Sequence, residues 1–317
     1  MGWDWHKFRK DTAFATRNLV WYTLIMSVVT EMVSAMVSAL TKTGGSSESL
    51  ISEVTGTAAS AGMIAGVLIG VFCLFKIDGT KAEKIDIFQK SKRKMTAGAF
   101  SRFCIYMIMA QMVFSLIAAA AELILNQLGL SMDTLTELAS VGSDMGIMMM
   151  IYAGFVGPVV EELVFRGFLM RRFEKYGKGF AVIVSAVLFG VMHGNPLQIV
   201  FGTLVGLILG YIAIEYSIKW SIILHIANNF ILGDVIGGLF GLLPDDVEGI
   251  AFTVFLGIGF VLLIIRRKEW ISWLKENAAP GSYYLNALTT PSAVIFIGYN
   301  LLNGLMLLTL IFMEPFL

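Results

Sequence analysis

The chain has 317 residues and a formal net charge of zero, and 57% of its residues are hydrophobic while only 15% are charged. Globular domains carry about 25% charged residues, and the mean hydropathy of +0.78 excludes an ordinary soluble domain. The sequence contains no basic tract with interleaved aromatic residues, so we expect no nucleic-acid partner. Its two cysteines imply no disulfide framework.

The hydrophobic residues form long blocks, which predicts an all-α fold. We expect a polytopic transmembrane helix bundle of about nine spans, an eight-helix core with an extra C-terminal span, in a single integral membrane domain (1–317). The predicted spans cover residues 18–40, 57–75, 103–130, 145–172, 180–194, 197–214, 220–243, 250–265 and 291–313. The basic segment 3–17 and the amphipathic segment 266–276 are expected to lie at the membrane interface.

Lysines and arginines are distributed unevenly between alternate loops. With the N-terminus placed inside, 21 of the 23 fall in inside segments, and acidic loops such as 245–248 fall outside. Positively charged loops stay on the cytoplasmic side of a membrane. We therefore predict a multi-pass protein with a cytoplasmic N-terminus. The short loops favour a bacterial cytoplasmic membrane.

The fourth predicted span carries three charges inside an apolar run that begins near Met145. These are Glu161, Glu162 and Arg166, and each charge at bilayer depth costs about 2.5–3.5 kcal/mol. Glu162 and Arg166 are four residues apart and share a helix face, so they can form an ion pair. Glu161 is turned about 100° from Glu162. A purely structural ion pair therefore leaves the carboxylate of Glu161 unexplained.

Two of the three histidines lie in other predicted spans. His193 ends the sequence FxxxH at 189–193, and His225 precedes Asn229 by four residues on one helix face. A single histidine in a span is more often a hydrogen bond between helices than a catalyst. Beside buried carboxylates, however, an imidazole can help to activate a water molecule. His225 and Asn229 could donate hydrogen bonds to a developing oxyanion.

The ordered pattern EExxxR at 161–166, FxxxH at 189–193 and HxxxN at 225–229 resembles the CPBP (Abi) family. Its members are the CAAX-processing and bacteriocin-processing intramembrane glutamic endopeptidases. Each motif alone is weak, but three of them in order on three separate spans make a specific match. The resemblance covers about 145–229 and implies a catalytic core at about 145–265.

The resemblance implies that the chain hydrolyses a peptide bond without a metal, a cofactor or a covalent intermediate. Glu161 would act as the general base, and His193 would help to hold and deprotonate the attacking water. Glu162 and Arg166 would orient Glu161, while the HxxxN pair at 225–229 would stabilise the tetrahedral oxyanion.

The expected partners are the lipid bilayer and a membrane-associated peptide or protein substrate, with a membrane signalling partner as a further option. At about 1.5 Å per residue, Glu161 lies roughly 15 Å from the basic end of its span at Arg171. Because that end is predicted to be cytoplasmic, we expect the substrate to enter from the cytoplasmic side.

Two other functions are compatible with the same residues. A zinc-dependent membrane protease could use Glu161, His193 and His225 as ligands, although no His-Glu-x-x-His is present. A transporter or signalling scaffold could use buried carboxylates to bind an ion or a partner. Further acidic residues in the predicted spans favour the scaffold, namely Glu31, Glu122 and Asp234. The absence of a recognisable inverted repeat counts against a transporter.

Overall fold

The computed structural model describes residues 4–43, 48–81, 93–127, 146–230, 242 and 244–313. Within these residues every regular element is a helix, which confirms the predicted all-α class. We number the helices α1 (Trp5–Thr43), α2 (Glu48–Lys81), α3 (Ala97–Gln127), α4 (Ile147–Tyr176), α5 (Lys178–Met192), α6 (Pro196–Glu215), α7 (Ile218–Ile226), α8 (Asp245–Ile265), α9 (Arg267–Asn277), α10 (Gly281–Thr289) and α11 (Pro291–Met313).

Five of these helices, α1, α2, α3, α4 and α6, are long and apolar enough to cross a membrane. The number rises to seven if each bent pair counts as one span, since α8 and α9 meet at 59° and α10 and α11 at 66°. The protein is therefore an integral multi-pass membrane protein. Helix α5 and the described part of α7 are shorter than a full span, with 15 and 9 residues. The predicted count of nine spans stays a prediction.

Helix α1 differs from its prediction. The segment 3–17 was expected at the interface and a span at 18–40, but one continuous helix of 39 residues begins at Trp5. No glycine or proline interrupts the sequence between Trp5 and Thr43, so nothing in this segment ends the helix. At about 1.5 Å per residue, α1 is longer than the roughly 30 Å hydrocarbon core of a bilayer.

Helices α5 and α6 pack closely because small residues line their contact. Gly202, Gly206 and Gly210 are one turn apart on one face of α6. A Cβ added at Gly202 would lie 3.1 Å from the Cα of Gly190, and one added at Gly206 would lie 3.1 Å from the Cα of Ala186. Stripes of small residues allow helix backbones to approach one another in membranes. This approach brings the C-terminal end of α5, with Phe189 and His193, against α6.

The first and last helices of the chain pack on each other. The hydroxyls of Thr16 in α1 and Ser292 in α11 are 2.6 Å apart. The ring of Phe8 packs on that of Tyr283 in α10, with centroids 4.2 Å apart. Tyr176, at the end of α4, donates a hydrogen bond of 2.6 Å to Asp11. We call this contact of α1 with α10 and α11 the terminal seam.

Glu215, the last residue of α6, joins three other parts of the chain. Its carboxylate lies 3.0 Å from Lys178 Nζ and 3.3 Å from Arg93 Nε. It also accepts a hydrogen bond of 3.1 Å from Trp273 Nε1 in α9. The amphipathic segment predicted at 266–276 is thus a helix bent away from α8 and docked on the end of α6.

Candidate active site

Helix α4 changes its geometry immediately before the two glutamates. Residues Tyr152–Val156 form a π-helical turn, and the N–H of Gly157 donates to the carbonyl of Tyr152, five residues earlier. Pro158 follows and has no N–H to donate. The carbonyl of Ala153, five residues before Pro158, therefore receives no backbone hydrogen bond from either of these two residues. A wider turn here also relieves the clash that a proline ring makes with the preceding turn of an α-helix.

Glu162 is fully buried and has three polar partners. Its Oε1 lies 3.0 Å from Arg166 Nη1 and 2.9 Å from His225 Nδ1. The hydroxyl of Ser221 lies 2.5 Å from Oε2 of Glu162 and 2.9 Å from the carbonyl of Leu209, and its single proton is shared between these two acceptors. The predicted ion pair between Glu162 and Arg166 is confirmed. Because an ionised carboxylate can only accept, Nδ1 of His225 is the nitrogen that carries a proton towards it.

Arg166 is buried with Glu162 and contacts two further groups. Its Nη2 donates to the backbone carbonyl of Gly206 at 3.2 Å. Its guanidinium carbon lies 4.4 Å from the centroid of the Phe189 ring, within the range of a cation–π interaction. The buried charge is therefore neutralised on one side and packed on an aromatic ring on the other.

Phe189 is the aromatic centre of the site. The rings of His193 and His225 both pack edge-on against it, with centroids 5.0 and 5.7 Å away. Phe165 packs on it at 5.3 Å. The first position of the FxxxH motif thus holds both histidines and Arg166 in a fixed arrangement, a role that the sequence alone did not indicate.

Glu161 has a different environment from its neighbour. Its side chain is 16% exposed, whereas that of Glu162 is completely buried. The nearest positively charged or ionisable nitrogen is Nε2 of His225, 3.6 Å from Oε2. This separation is longer than a hydrogen bond. In the part of the chain that the structure describes, no group donates a hydrogen bond to Glu161, so its carboxylate keeps lone pairs available for a ligand.

His193 lies at the C-terminal end of α5. Its Nδ1 is 3.0 Å from the backbone carbonyl of Phe189, four residues earlier. A carbonyl only accepts, so Nδ1 carries the proton and a neutral ring presents Nε2 as an acceptor. Within the described part of the chain, His193 makes no direct hydrogen bond to either glutamate. The chain leaves α5 at Gly194, whose φ of 70° lies in the left-handed region.

Asn229 lies in a π-helical turn that continues α7. Its Nδ2 donates to the carbonyl of Ala153 at 3.1 Å, the carbonyl that Pro158 cannot reach with an N–H. Its Oδ1 accepts from Asn228 Nδ2 at 3.1 Å. Asn228 in turn accepts from Gln111 Nε2 of α3 at 3.2 Å. Asn229 is therefore tied to α4 and, through Asn228, to α3.

The sequence-predicted residues thus occupy one region of the bundle. The ionic cluster joins Glu161, Glu162, Arg166 and His225, while His193 contacts it through Phe189. Asn229, in the turn that continues α7, contacts the π-helical turn of α4 through the carbonyl of Ala153, and among the described residues it makes no hydrogen bond with His225.

Sequence reasoning missed two polar residues beside the site. Ser221 carried a usable signal, because the spacing of four in Ser221, His225 and Asn229 predicts one helix face. Gln111 carried none, since it lies on a helix distant in sequence.

Of the acidic residues that favoured a scaffold, Glu31 and Glu122 are exposed on the protein surface. Asp234 lies outside the described residues.

The zinc alternative requires three ligands that converge on one point. Among the residues that the structure describes, no three side chains of His, Cys, Asp or Glu are grouped in a way that could hold a metal ion. The proposed ligand His193 packs on Phe189 and donates Nδ1 to its own helix. The donor set therefore does not fit a three-ligand zinc site.

Comparison with known proteins connects this region to a family. Residues 143–231 match the family model of the type II CAAX prenyl endopeptidase Rce1-like proteins. This segment is similar to the Rce1-like family. The match confirms the resemblance drawn from the three motifs, and it covers less than a third of the chain.

The chain also aligns over part of its length with a curated protein, the "Putative membrane peptidase YdiL" of Bacillus subtilis (strain 168). The two are 29% identical over 84 residues, which is 26% of this chain and 34% of that protein. The alignment thus spans about a third of the relative's length. No solved structure matches the chain.

Proposed function

We propose that the protein is an intramembrane glutamic endopeptidase of the CAAX-processing type, with its catalytic core at about 145–265. One observation carries the proposal: among the described residues, Glu161 is partly exposed and accepts no hydrogen bond, and it lies beside the buried ion pair of Glu162 and Arg166 and the ring of His225. A structural ion pair needs only Glu162 and Arg166. A second, more exposed carboxylate next to His225 suits a group that acts on a ligand. The Rce1-like match and the name of the Bacillus relative support a protease.

In the proposed reaction Glu161 takes a proton from a water molecule, and the resulting hydroxide attacks the carbonyl carbon of the scissile bond. Nε2 of His193 accepts a hydrogen bond from the same water and so orients it. The carbonyl oxygen becomes an oxyanion when the C–O π bond opens. When the C–N bond breaks, Glu161 returns the proton to the leaving nitrogen.

The oxyanion is stabilised by hydrogen bonds from Asn229 Nδ2 and from His225. An imidazolium has an N–H on both nitrogens, so His225 can donate from Nε2 while Nδ1 stays bound to Glu162. Glu162 and Arg166 are positioning residues. They hold the His225 ring and the turn of α4 on which Glu161 is carried.

The test uses the purified protein in lipid nanodiscs with an internally quenched peptide that ends in a prenylated CAAX sequence. We expect Glu161→Ala and His193→Ala to lose nearly all activity, because a water-activating pair acts as a unit. The matched controls are Glu31→Gln and His6→Ala, which remove the same residue types from exposed positions. Full activity in either site variant refutes the assignment. Peptidomics of membranes carrying Glu161→Ala would identify accumulated natural substrates.

The proposed mechanism needs no metal ion. We expect a strong chelator to leave the activity unchanged, since Glu161 activates water without a Lewis acid. Loss of activity in the chelator, restored by one equivalent of zinc, would replace this mechanism with that of a zinc protease.

We further propose that the substrate reaches the site from the cytoplasm of a bacterial cell, where the basic ends of the helices and the N-terminus lie. The distribution of lysines and arginines supports this orientation. The test introduces cysteines at Lys175 or Asp246 after replacement of the two free cysteines, Cys73 and Cys104. A membrane-impermeant maleimide should label position 246 but not 175 in intact cells. The reverse pattern would invert the topology and the side of access.

A further inference from the structure

Three side-chain amides form a continuous chain from α3 to the turn before Pro158. Gln111 Nε2 donates to Asn228 Oδ1 at 3.2 Å, and Asn228 Nδ2 donates to Asn229 Oδ1 at 3.1 Å. Asn229 Nδ2 then donates to the carbonyl of Ala153 at 3.1 Å. Asn228 is buried. Gln111 lies outside the segment that matches the Rce1-like family, 143–231.

The backbone fixes the direction of every bond in this chain. A carboxamide can present either its oxygen or its nitrogen to a neighbour, but a backbone carbonyl accepts only. The group of Asn229 that faces Ala153 must therefore be Nδ2, and its Oδ1 must face Asn228. Asn228 must then present Nδ2 to Asn229 and Oδ1 to Gln111. Only a donor at position 111 completes the chain in this direction.

We propose that Gln111 is a positioning residue that holds the carboxamide of Asn229 in the orientation required to bind the oxyanion. This inference rests on the proposed function. One N–H of Asn229 Nδ2 is bound to Ala153, and the other has no partner among the described residues. With Oδ1 held by Asn228, rotation of the carboxamide breaks two hydrogen bonds. The free N–H is thus directed before the substrate arrives, which is the condition for electrostatic stabilisation of a transition state.

The decisive variant is Gln111→Met, which keeps the length of the side chain and removes its donor. We expect kcat to fall about tenfold with KM little changed, because the removed hydrogen bond acts only through Asn229. This is less than the roughly 10²- to 10³-fold cost of removing an oxyanion donor itself. The matched control is Ser115→Ala. Ser115 is exposed one turn further along α3 and bonds the backbone carbonyl of Gln111 rather than Asn228, so kcat should not change.

A double-mutant cycle separates positioning from a general structural effect. In an Asn229→Ala background, Gln111→Met should cause no further loss of kcat, because the group it positions is gone. An equal fold loss in both backgrounds would mean that Gln111 supports the fold only, and would overturn the inference.

The variant Gln111→Glu adds a second measurement, the pH dependence of kcat, which a change in packing alone would not alter. A protonated carboxyl group can donate to Asn228 Oδ1, whereas an ionised one cannot. We expect the ratio of its kcat to that of the unmodified protein to rise as the pH is lowered through the pKa of the introduced group. The same ratio for Gln111→Met should stay flat with pH. A flat ratio for both variants would overturn the inference.

The same assay distinguishes the two levels of failure. Full activity in Glu161→Ala would reject the proposed enzyme mechanism. Loss of activity in Glu161→Ala and Asn229→Ala, together with unchanged kcat in Gln111→Met, would reject the role of Gln111 and leave the proposed function standing.

Discussion

Glu161 and Glu162 are neighbours in the chain with opposite environments. Glu162 forms an ion pair with a guanidinium and accepts hydrogen bonds from an imidazole and a hydroxyl, and its side chain has no exposure. Glu161, one residue earlier, is partly exposed and lies just beyond hydrogen-bonding distance of His225. Burial of a charge is tolerated only where its partners are complete. In the proposed mechanism the pair therefore divides its tasks, with Glu162 holding the site and Glu161 facing the ligand.

Ser221 is expected to support Glu162. Ser221→Ala leaves Oε2 without its donor in a buried position, which costs about 1–3 kcal/mol of stability. We expect kcat to fall about fivefold as Glu162 loses its fixed orientation. The control is Ser185→Ala, which removes another buried hydroxyl that donates only to the backbone carbonyl of Phe165. Thermal unfolding should detect both variants, whereas the kinetic assay should detect Ser221→Ala alone.

The ion pair of Glu162 and Arg166 is expected to behave as a unit in unfolding. Glu162→Ala strands a buried guanidinium and should cost about 3–5 kcal/mol. Changing both residues, with Glu162→Gln and Arg166→Met, should recover most of that stability because no unpaired charge remains. Activity should stay absent in both variants. If the double variant is less stable than Glu162→Ala when unfolded in detergent, the two side chains are not coupled in this way.

At this scale the sequence predicted most of the ionic cluster. Charges in an apolar span are rare, and a spacing of four on a helix identifies the partners Glu162 and Arg166. The additional partners of the site could not be predicted in the same way. The contact between Gln111 and Asn228 depends on how α3 packs against the turn that follows α7. The spacing of residues in a single sequence does not indicate which helices pack together. The position of Phe189 against Arg166 and both histidines depends on the same kind of information.

At the scale of elements, the site is built where helices depart from regular geometry. π-Helical turns at Tyr152–Val156 and Leu163–Met170 flank the two glutamates, and a further one carries Asn228 and Asn229. Such turns occur frequently at functional sites because they leave backbone groups free. The hydrophobic pattern predicted where these helices lie but not these turns. Pro158 was a visible signal of irregular geometry, but it did not reveal which carbonyl would be left free.

Helices α5 and α6 are packed so closely at Gly190 that a side chain at this position is expected to destabilise the protein. A Cβ there would collide with the hydroxyl of Thr203 and the backbone carbonyl of Ile199. We expect Gly190→Ala to cost about 1–3 kcal/mol, as overpacking does, and to lower kcat by moving Phe189 and His193.

The control for this variant is Gly257→Ala in α8, where an added Cβ meets no atom within 4 Å. That change should leave both thermal unfolding and kcat unaltered. Equal stability of the two variants would show that α5 and α6 can separate without cost.

At the scale of the whole molecule, parts of the chain outside the Rce1-like segment support the site. Gly304 of α11 packs against the carbonyl of Gly194, the residue that follows His193. The terminal seam in turn holds α11 against α1. Sequence analysis placed α11 correctly, because its 23 residues are predominantly apolar and include no charged side chain. It could not predict what α11 contacts, since the contact is made by a glycine, which leaves no hydrophobic or charge signal.

Gly304→Ala tests this support. The added methyl group would run into the carbonyl of Gly194, so we expect the turn after His193 to shift and kcat to fall at least tenfold with a smaller change in stability. Gly298→Ala, on the same helix but facing open space, should be indistinguishable from the unmodified protein. Unchanged kcat in Gly304→Ala would mean that α11 is not part of the support for His193.

The terminal seam can form only late in synthesis, because it joins the first helix of the chain to the last two. Thr16 and Ser292 are 276 residues apart in the chain, and ribosomes add about 5–20 residues per second. Helix α1 therefore waits roughly 15 to 60 s in the membrane, by the same rate, before its partner has been made. Until then the turn at Gly194 lacks the helix that packs on it. A nascent chain thus carries both glutamates and both histidines before α11 can pack on the turn that follows His193, and the site is fully supported only when synthesis is nearly complete.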